Sequence, residues 1–180
     1  HAPRAAKPPT GDELRTCWAD LTDADASKAY RAIDRLTTAP RQAVTLLREH
    51  LRAVQPPDPK HIHRLLTDLD SSSFAEREQA TRLLQKQLDL AERFLKEELS
   101  NRPSLEVRKR IEQLLETALG PVTDSEQLRQ LRSVEVLERI GSLEARRVLE
   151  LLAKGAPAAR LTGEAKASLK RISRRYAATP

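Results

Sequence analysis

The chain has 180 residues, of which 32% are charged and only 3% are aromatic, and its net charge is +6. This length is enough for one ordinary domain with a sizeable core. Strand-forming residues are sparse and never alternate over a useful length, so the composition excludes an extensive sheet and favours helices. The single cysteine, Cys17, excludes a disulfide within the chain and a cluster of thiolate ligands.

Apolar residues recur at helical spacing along most of the chain. Residues 1–10, HAPRAAKPPT, lack this spacing, and we expect a linker or a domain boundary there. The segment 56–59, PPDP, is the clearest internal break. The periodicity predicts ten helices, over residues 12–20, 24–36, 40–54, 60–69, 74–87, 89–99, 105–119, 124–140, 143–154 and 163–176.

Several helix ends are predicted by residues that cap or break a helix. Asp23 and Asp124 are suited to the N-caps of the second and eighth helices, and the serine run 71–73 is suited to that of the fifth. Pro40 fits the first turn of the third helix. Gly141 closes the eighth helix, and a short polar turn then leads into the ninth.

Three helix pairs share one apolar template. Residues 25–51 align without gaps on 73–99 at an offset of 48, and residues 80–99 align on 134–153 at an offset of 54. A period near 40–50 residues with two helices in each unit is typical of HEAT and armadillo repeats. The matched positions include Ala32 with Ala80, Leu36 with Leu84, Ala43 with Ala91 and Ala145, and Leu47 with Leu95 and Leu149.

The template predicts an all-α, HEAT/armadillo-like helical repeat, an α-superhelix of about nine or ten antiparallel helices. We expect a single domain over residues 11–180, because one helix pair cannot bury both of its apolar faces and must stack on another. The pairs are predicted near residues 24–54, 73–101 and 124–154, and a basic helix over 163–176 is predicted to cap the array.

The positive charge is concentrated at the C-terminal end of the chain. Of 32 basic and 26 acidic residues, seven basic residues and one acid lie from Lys154 onward, which leaves 25 of each before it. Two interpretations of the basic helix remain open. The favoured one is a polar cap of the array, and the other is a docking surface for an acidic protein or for nucleic acid. The candidate docking residues are Lys166, Lys170, Arg171, Arg174 and Arg175.

No residue pattern in the chain predicts catalysis, a metal site or a cofactor. His61 and His63 are two residues apart, so their side chains point in different directions on a helix and cannot share one ion. The serine run 71–73 is explained by helix capping, and Cys17 lies on an apolar face where a small core residue is expected. We therefore expect a protein that is not an enzyme and that binds no small-molecule substrate.

Four stretches resemble a known group of proteins. They are CWADLTDADASKAYRAI (17–33), PPDPK (56–60), DLDSSSFAEREQAT (68–81) and VEVLERIGSLEARRVLELLAKGAP (134–157). In this order they are similar to the C-terminal helical region of large bacterial WD40-repeat β-propeller proteins. The resemblance implies a helical, interaction-bearing domain that follows a propeller, and it supplies no catalytic residues.

The sequence therefore predicts a non-catalytic helical-repeat scaffold, an accessory domain of a WD40 propeller protein whose partner is another protein or its own propeller. The alternative is a nucleic-acid-binding module that uses the basic C-terminal helix. No apolar stretch approaches the length of a membrane span, about 20 residues, so no membrane association is expected. The location stays open, with the cytoplasm favoured.

Overall fold

The computed structural model describes residues 9–177, apart from the side chain of Leu119. Ten α-helices and no strand occur in this range, so the all-α class is confirmed. The predicted linker 1–10 lies almost wholly outside the described residues. In chain order the helices are α1 (Gly11–Asp20), α2 (Ala26–Thr37), α3 (Pro40–His50), α4 (Pro59–Asp68), α5 (Phe74–Lys86), α6 (Leu88–Ser100), α7 (Leu105–Leu119), α8 (Ser125–Ile140), α9 (Leu143–Leu152) and α10 (Arg160–Ala177).

Most predicted helix starts are confirmed to within one residue, and two are wrong: α10 begins at Arg160 rather than at Gly163, and α2 begins at Ala26, after a different cap from the predicted one. Ser73 caps α5, Asp124 caps α8, and Pro40 is the first residue of α3. The N-cap of α2 is Asp25, whose carboxylate accepts the Ser27 amide at 2.8 Å. Asp23, the predicted cap, lies in the preceding turn and accepts the Asp25 amide at 2.9 Å. Both aspartates bond to backbone amides, and sequence alone did not separate their roles.

The turn between α8 and α9 has the predicted form. Gly141 adopts a left-handed conformation with φ of 61°, which glycine reaches without the steric cost that other residues carry. The next residue, Ser142, caps α9 by accepting the Ala145 amide at 3.2 Å. The chain therefore leaves one helix and enters the next within two residues.

Helix α3 is shorter than predicted. It ends at His50, and Leu51 is already extended. The guanidinium of Arg52 bonds to the carbonyls of Arg48 and Leu51, at 2.9 and 2.8 Å. The carbonyl of Val54 accepts the Ala156 amide at 2.7 Å, a long-range bond in the non-helical segment that follows α3.

The described residues form two compact units. Unit 1 contains residues up to 54 and from 123 onward, and unit 2 contains residues 55–122. The prediction of a single domain over residues 11–180 stays a prediction. No helix in the described part of the chain is both long and apolar enough to cross a membrane.

Unit 2 consists of two helical hairpins, α4–α5 and α6–α7. Helix α4 packs against α6, and α5 packs against α7. Its core contains Ile62, Leu69, Leu84, Leu95 and Ile111, all fully buried. The predicted pair over 73–101 corresponds to α5 and α6, but each of these helices packs more extensively against its own hairpin partner than against the other.

In unit 1, hairpin α2–α3 stacks on hairpin α8–α9. Helix α2 packs against α8 and α3 against α9, while α1 covers α2, and α10 packs against both α8 and α9. The first and third predicted pairs are therefore direct neighbours. The only tryptophan, Trp18, lies 4.7 Å from the His50 ring and 4.6 Å from the Arg129 guanidinium.

Residues at matched template positions are buried alike. One set is Ala43, Ala91 and Ala145, and another is Leu47, Leu95 and Leu149; every member of both sets is fully buried. Alanine at the first position lets neighbouring helices approach closely, and leucine at the second fills the space between them.

Candidate functional site

The basic C-terminal helix presents its candidate residues on two different faces. Lys166, Lys170 and Arg174 are exposed, and each is four residues from the next, so they form one row that turns by about 40° per step. None of the three forms an ion pair with any residue that the structure describes. We call this set the outer row. Its charges remain available to another molecule.

Arg171 and Arg175 lie about 100° and 140° further round the helix than Lys170, and both bind one carboxylate of α8. Nε and Nη2 of Arg171 donate to Glu138 at 2.9 and 2.7 Å. Nη2 of Arg175 donates to the other oxygen of Glu138 at 2.5 Å. Arg171 also donates to Glu164 at 2.5 Å. The structure therefore divides the five predicted residues into three that face solvent and two that fasten α10 to α8.

Glu138 is the centre of this attachment. Only 12% of its side chain is exposed, and it accepts a third donor, the buried hydroxyl of Ser168, at 2.7 Å. Burial raises the pKa of Glu138, but hydrogen bonds from Arg171 and Ser168 and the charges of both arginines outweigh it, so the pKa lies below its usual range. The carboxylate stays charged and offsets one of the two positive charges of Arg171 and Arg175.

A groove runs along α8 beside α10. It encloses a cavity of about 510 Å³, and a second cavity of about 160 Å³ lies nearer the α8–α9 turn. Glu138 and Arg139 line both cavities. We call the larger cavity and the part of the groove that contains it the α8 groove. Its lining consists of one leucine, three arginines and three glutamates: Leu131, Arg132, Arg139, Arg171, Glu135, Glu138 and Glu164.

Arg139 and Arg132 connect α8 to the helices before it. Arg139 pairs with Asp34 of α2 at 2.7 Å and with Glu135 at 2.6 Å, and its guanidinium lies 4.9 Å from the centre of the Tyr30 ring. Arg132 has a different environment. Its Nη1 donates to the carbonyls of Leu21 and Asp23 between α1 and α2, at 2.7 and 2.8 Å.

The apolar surface near the end of α10 is also partly open. Tyr176 is 61% exposed, and its hydroxyl donates to the Gly141 carbonyl at 3.2 Å. The guanidinium of Arg146 lies 5.1 Å from the centre of the same ring. Leu143, two residues after Gly141, is 67% exposed. The Tyr176 ring therefore lies at the α8–α9 turn, and because Arg174 is two residues earlier on α10, its side chain points about 200° away from that ring.

The side chains that sequence analysis weighed for chemistry are dispersed. Cys17 is buried, and burial raises the pKa of its thiol. His61 and His63 are both exposed, on either side of the fully buried Ile62, and the His63 ring meets Phe94 edge-on. Within residues 9–177, no three His, Cys, Asp or Glu side chains are grouped closely enough to hold a metal ion.

Sequence analysis missed two residues of the groove, Glu138 and Arg132. A signal for Glu138 was present in the repeat template, because residue 138 aligns with Leu84, which aligns with Leu36. A carboxylate at a position where the other two pairs have a buried leucine indicates a local partner. For Arg132 there was no comparable signal, since its partners are backbone carbonyls about 110 residues earlier in the chain.

No known protein family, no curated protein and no solved structure matches the chain.

Proposed function

We propose that this protein is a non-catalytic protein-interaction module whose partner docks on the outer face of α10. The observation that supports the proposal is the outer row. Its residues Lys166, Lys170 and Arg174 are exposed and form no ion pair with any residue within 9–177. Opposite charge on a partner would supply what the protein itself does not. The proposed docking site therefore contains the three residues of the outer row and not all five candidate residues.

The stacking of the hairpins supports a HEAT/armadillo-like scaffold as the architecture of this module. In each unit the first helix of one hairpin packs on the first helix of the next, and the second packs on the second. Stacked hairpins of this kind make extended surfaces that suit other proteins. The four sequence stretches quoted above support the further proposal that the module belongs to a WD40 propeller protein.

Binding energies favour a protein partner over a simple charge contact. An exposed ion pair contributes at most about 1 kcal/mol, so three give about 3 kcal/mol at most. A millimolar complex already needs about 4 kcal/mol. A partner must therefore make other contacts, and the exposed Tyr176 and Leu143 at the α8–α9 turn offer apolar surface for them. An acidic segment that also carries apolar side chains fits both features.

Nucleic acid is the second candidate, and the same outer row is the observation that favours it. Phosphates spaced along a strand could pair with cations one helical turn apart. Three such contacts predict that the logarithm of the affinity falls with the logarithm of the salt concentration with a slope near −3. The outer row by itself supplies phosphate contacts and no contact to bases, so we rank this candidate lower.

The proposal can be tested by selecting random peptides displayed on phage against the protein. The counter-selection uses a variant with Lys166→Glu, Lys170→Glu and Arg174→Glu. We expect peptides that combine acidic and apolar residues and that bind the variant at least about tenfold more weakly. Failure to enrich any peptide, or equal binding to both proteins, contradicts the proposal.

A matched control reverses three other exposed cations, Lys60, Arg64 and Lys86, which also have no ion pair among the described residues. This control has the same net charge as the test variant, and we expect it to retain peptide binding. A DNA duplex and a single-stranded RNA are titrated in parallel at several salt concentrations. Binding to the duplex with a slope near −3, or to the single strand with a slope near −2, that only the outer-row variant loses supports nucleic acid instead.

A further inference from the structure

The charged side chains of the α8 groove are paired with one exception. Arg139 has two carboxylate partners, Asp34 and Glu135, and Arg171 has two as well, Glu138 and Glu164. The three glutamates of the groove are therefore each bound to an arginine. Arg132 is the arginine of the groove with no carboxylate within ion-pair distance in the part of the chain that is described.

Arg132 is nevertheless fixed in place. One nitrogen, Nη1, donates to two backbone carbonyls, which are uncharged acceptors and form no ion pair with it. The pKa of the Asp23 carboxyl is lowered mainly by its hydrogen bond from Lys28, and the charge of Arg132 makes a smaller contribution in the same direction. The Asp23 carboxylate itself pairs with Lys28 at 2.9 Å.

The free part of the guanidinium is suited to a carboxylate. Nη2 and Nε form no hydrogen bond to any described residue, and the side chain lines the groove. A guanidinium presents its N–H groups as a planar fork that matches the two oxygens of a carboxylate. Because the two carbonyls already hold the side chain, less conformational entropy is lost when a ligand binds.

The remaining lining decides which ligand fits. The lining carries three positive and three negative charges, so it is neutral as a whole, and a singly charged carboxylate adds less net charge to it than a doubly charged phosphate. Small-molecule sites are mostly apolar with few polar groups, whereas this groove has six charged side chains and one leucine. A polypeptide segment with a single acidic side chain fits these conditions best.

We infer that Arg132 receives one carboxylate of a partner polypeptide that lies in the α8 groove. The inference rests on the proposed function only for the source of that carboxylate, a protein partner. The contact at Arg132 would be a second contact with the partner, separate from the outer row and on the side of α10 that lies beside α8.

The test follows the arginine side chains directly by NMR. The Nε–H resonances of the wild-type protein are recorded while an acetylated and amidated peptide, Gly-Ser-Glu-Ser-Gly, is added to millimolar concentration. The same peptide with glutamine in place of glutamate is the ligand control, and inorganic phosphate is a further probe. We expect the glutamate peptide to shift the Arg132 resonance in a saturable way and the glutamine peptide to leave it unchanged.

Arg52 is the matched control within the same protein. Its Nη1 also donates to two backbone carbonyls, at 2.9 and 2.8 Å, but Arg52 does not line the groove. Its resonance should therefore stay in place. Equal shifts of Arg52 and Arg132, no shift of either, or a stronger response to phosphate than to the peptide would each overturn the inference.

Variants supply a second readout. Arg132→Gln should weaken binding of the glutamate peptide at least about tenfold, as expected when a charged hydrogen bond is lost, while Arg52→Gln should not change it. If Arg132→Gln fails to fold, the wild-type resonances still decide the question. Loss of phage-selected peptides with the outer-row variant while Arg132 stays silent contradicts this inference alone, and the reverse result contradicts the proposed function alone.

Discussion

Two faces of α10 carry cations four residues apart, but the two faces differ in whether those cations form ion pairs with α8. On the inner face, Arg171 and Arg175 are four residues apart and share Glu138. On the outer face, Lys166, Lys170 and Arg174 are also four apart and have no acid to meet within the described chain. The difference comes from α8, which supplies a carboxylate to one face only. A count of charges along a helix therefore overstates the charge that is free to bind.

The largest effect on stability is expected at Gly155, in the connection between α9 and α10. A Cβ on residue 155 would lie 2.9 Å from the Val54 nitrogen, 3.0 Å from its carbonyl oxygen and 2.6 Å from the Thr162 hydroxyl. Because two of these atoms belong to the backbone, Gly155→Ala should lower the free energy of unfolding by about 1–3 kcal/mol. Urea denaturation measures the change.

Gly163→Ala is the control for that substitution. Gly163 lies inside α10, and a Cβ there meets no heavy atom within 4 Å. Alanine has the higher helix propensity, so this variant should be more stable by about 0.5–1 kcal/mol. If both glycine variants changed stability in the same direction, the close approach at Gly155 would not be the constraint described above.

Removal of Glu138 tests the inner face itself. Glu138→Ala leaves two arginines without their shared carboxylate and the buried Ser168 hydroxyl without its partner. We expect a loss of about 1–3 kcal/mol in the free energy of unfolding, measured by thermal and urea denaturation. Glu164→Ala removes an acid that is 41% exposed and should cost less than about 1 kcal/mol. Equal losses would contradict a central role for Glu138.

Acid should weaken the inner face and leave the outer row unaffected. The pKa of Glu138 in the folded protein lies below its usual range, so its contribution is complete above the ordinary glutamate value of about 4.3. That contribution is lost as the pH falls through the lower, folded-state pKa. We expect Glu138→Gln to show a shallower loss of stability than the wild type below about pH 4, measured as urea midpoints. Parallel curves would count against this assignment.

The smallest effect on stability is expected for Lys170, which we compare with the next residue, Arg171, on a different face of α10. Lys170→Ala should change stability by less than about 0.5 kcal/mol, because the side chain is exposed and unpaired within 9–177. Arg171→Ala should cost up to about 1 kcal/mol, a limit set by the 46% exposure of its side chain. Differential scanning calorimetry of both variants decides the matter, and a larger loss from Lys170→Ala would reverse the comparison.

Local features of the fold were predictable because their causes lie within a few residues. Ser73, Asp124 and Pro40 mark helix starts through bonds or ring geometry that involve the next turn only. Gly141 closes α8 for the same kind of reason, a backbone angle that glycine accepts freely. The all-α class followed from the periodicity of the apolar residues.

Features set by distant partners were not predictable. The segment after α3, which was predicted to be helical through residue 54, instead bonds through Val54 to Ala156, about a hundred residues later in the chain. The direct stacking of the first and third predicted pairs likewise depends on how unit 1 brings both ends of the chain together. At the candidate site, the sequence identified five of the six cations of α10, but the division between its faces required the position of Glu138.

The placement of the aromatic residues makes the two units optically distinct. Trp18, Tyr30 and Tyr176 all belong to unit 1, while both phenylalanines, Phe74 and Phe94, belong to unit 2. Light that excites tryptophan therefore reports on unit 1 alone, through a ring held between His50 and Arg129. Circular dichroism in the far ultraviolet records the helices of both units. The unlabelled protein thus carries its own means of following the unfolding of one unit against that of the whole chain.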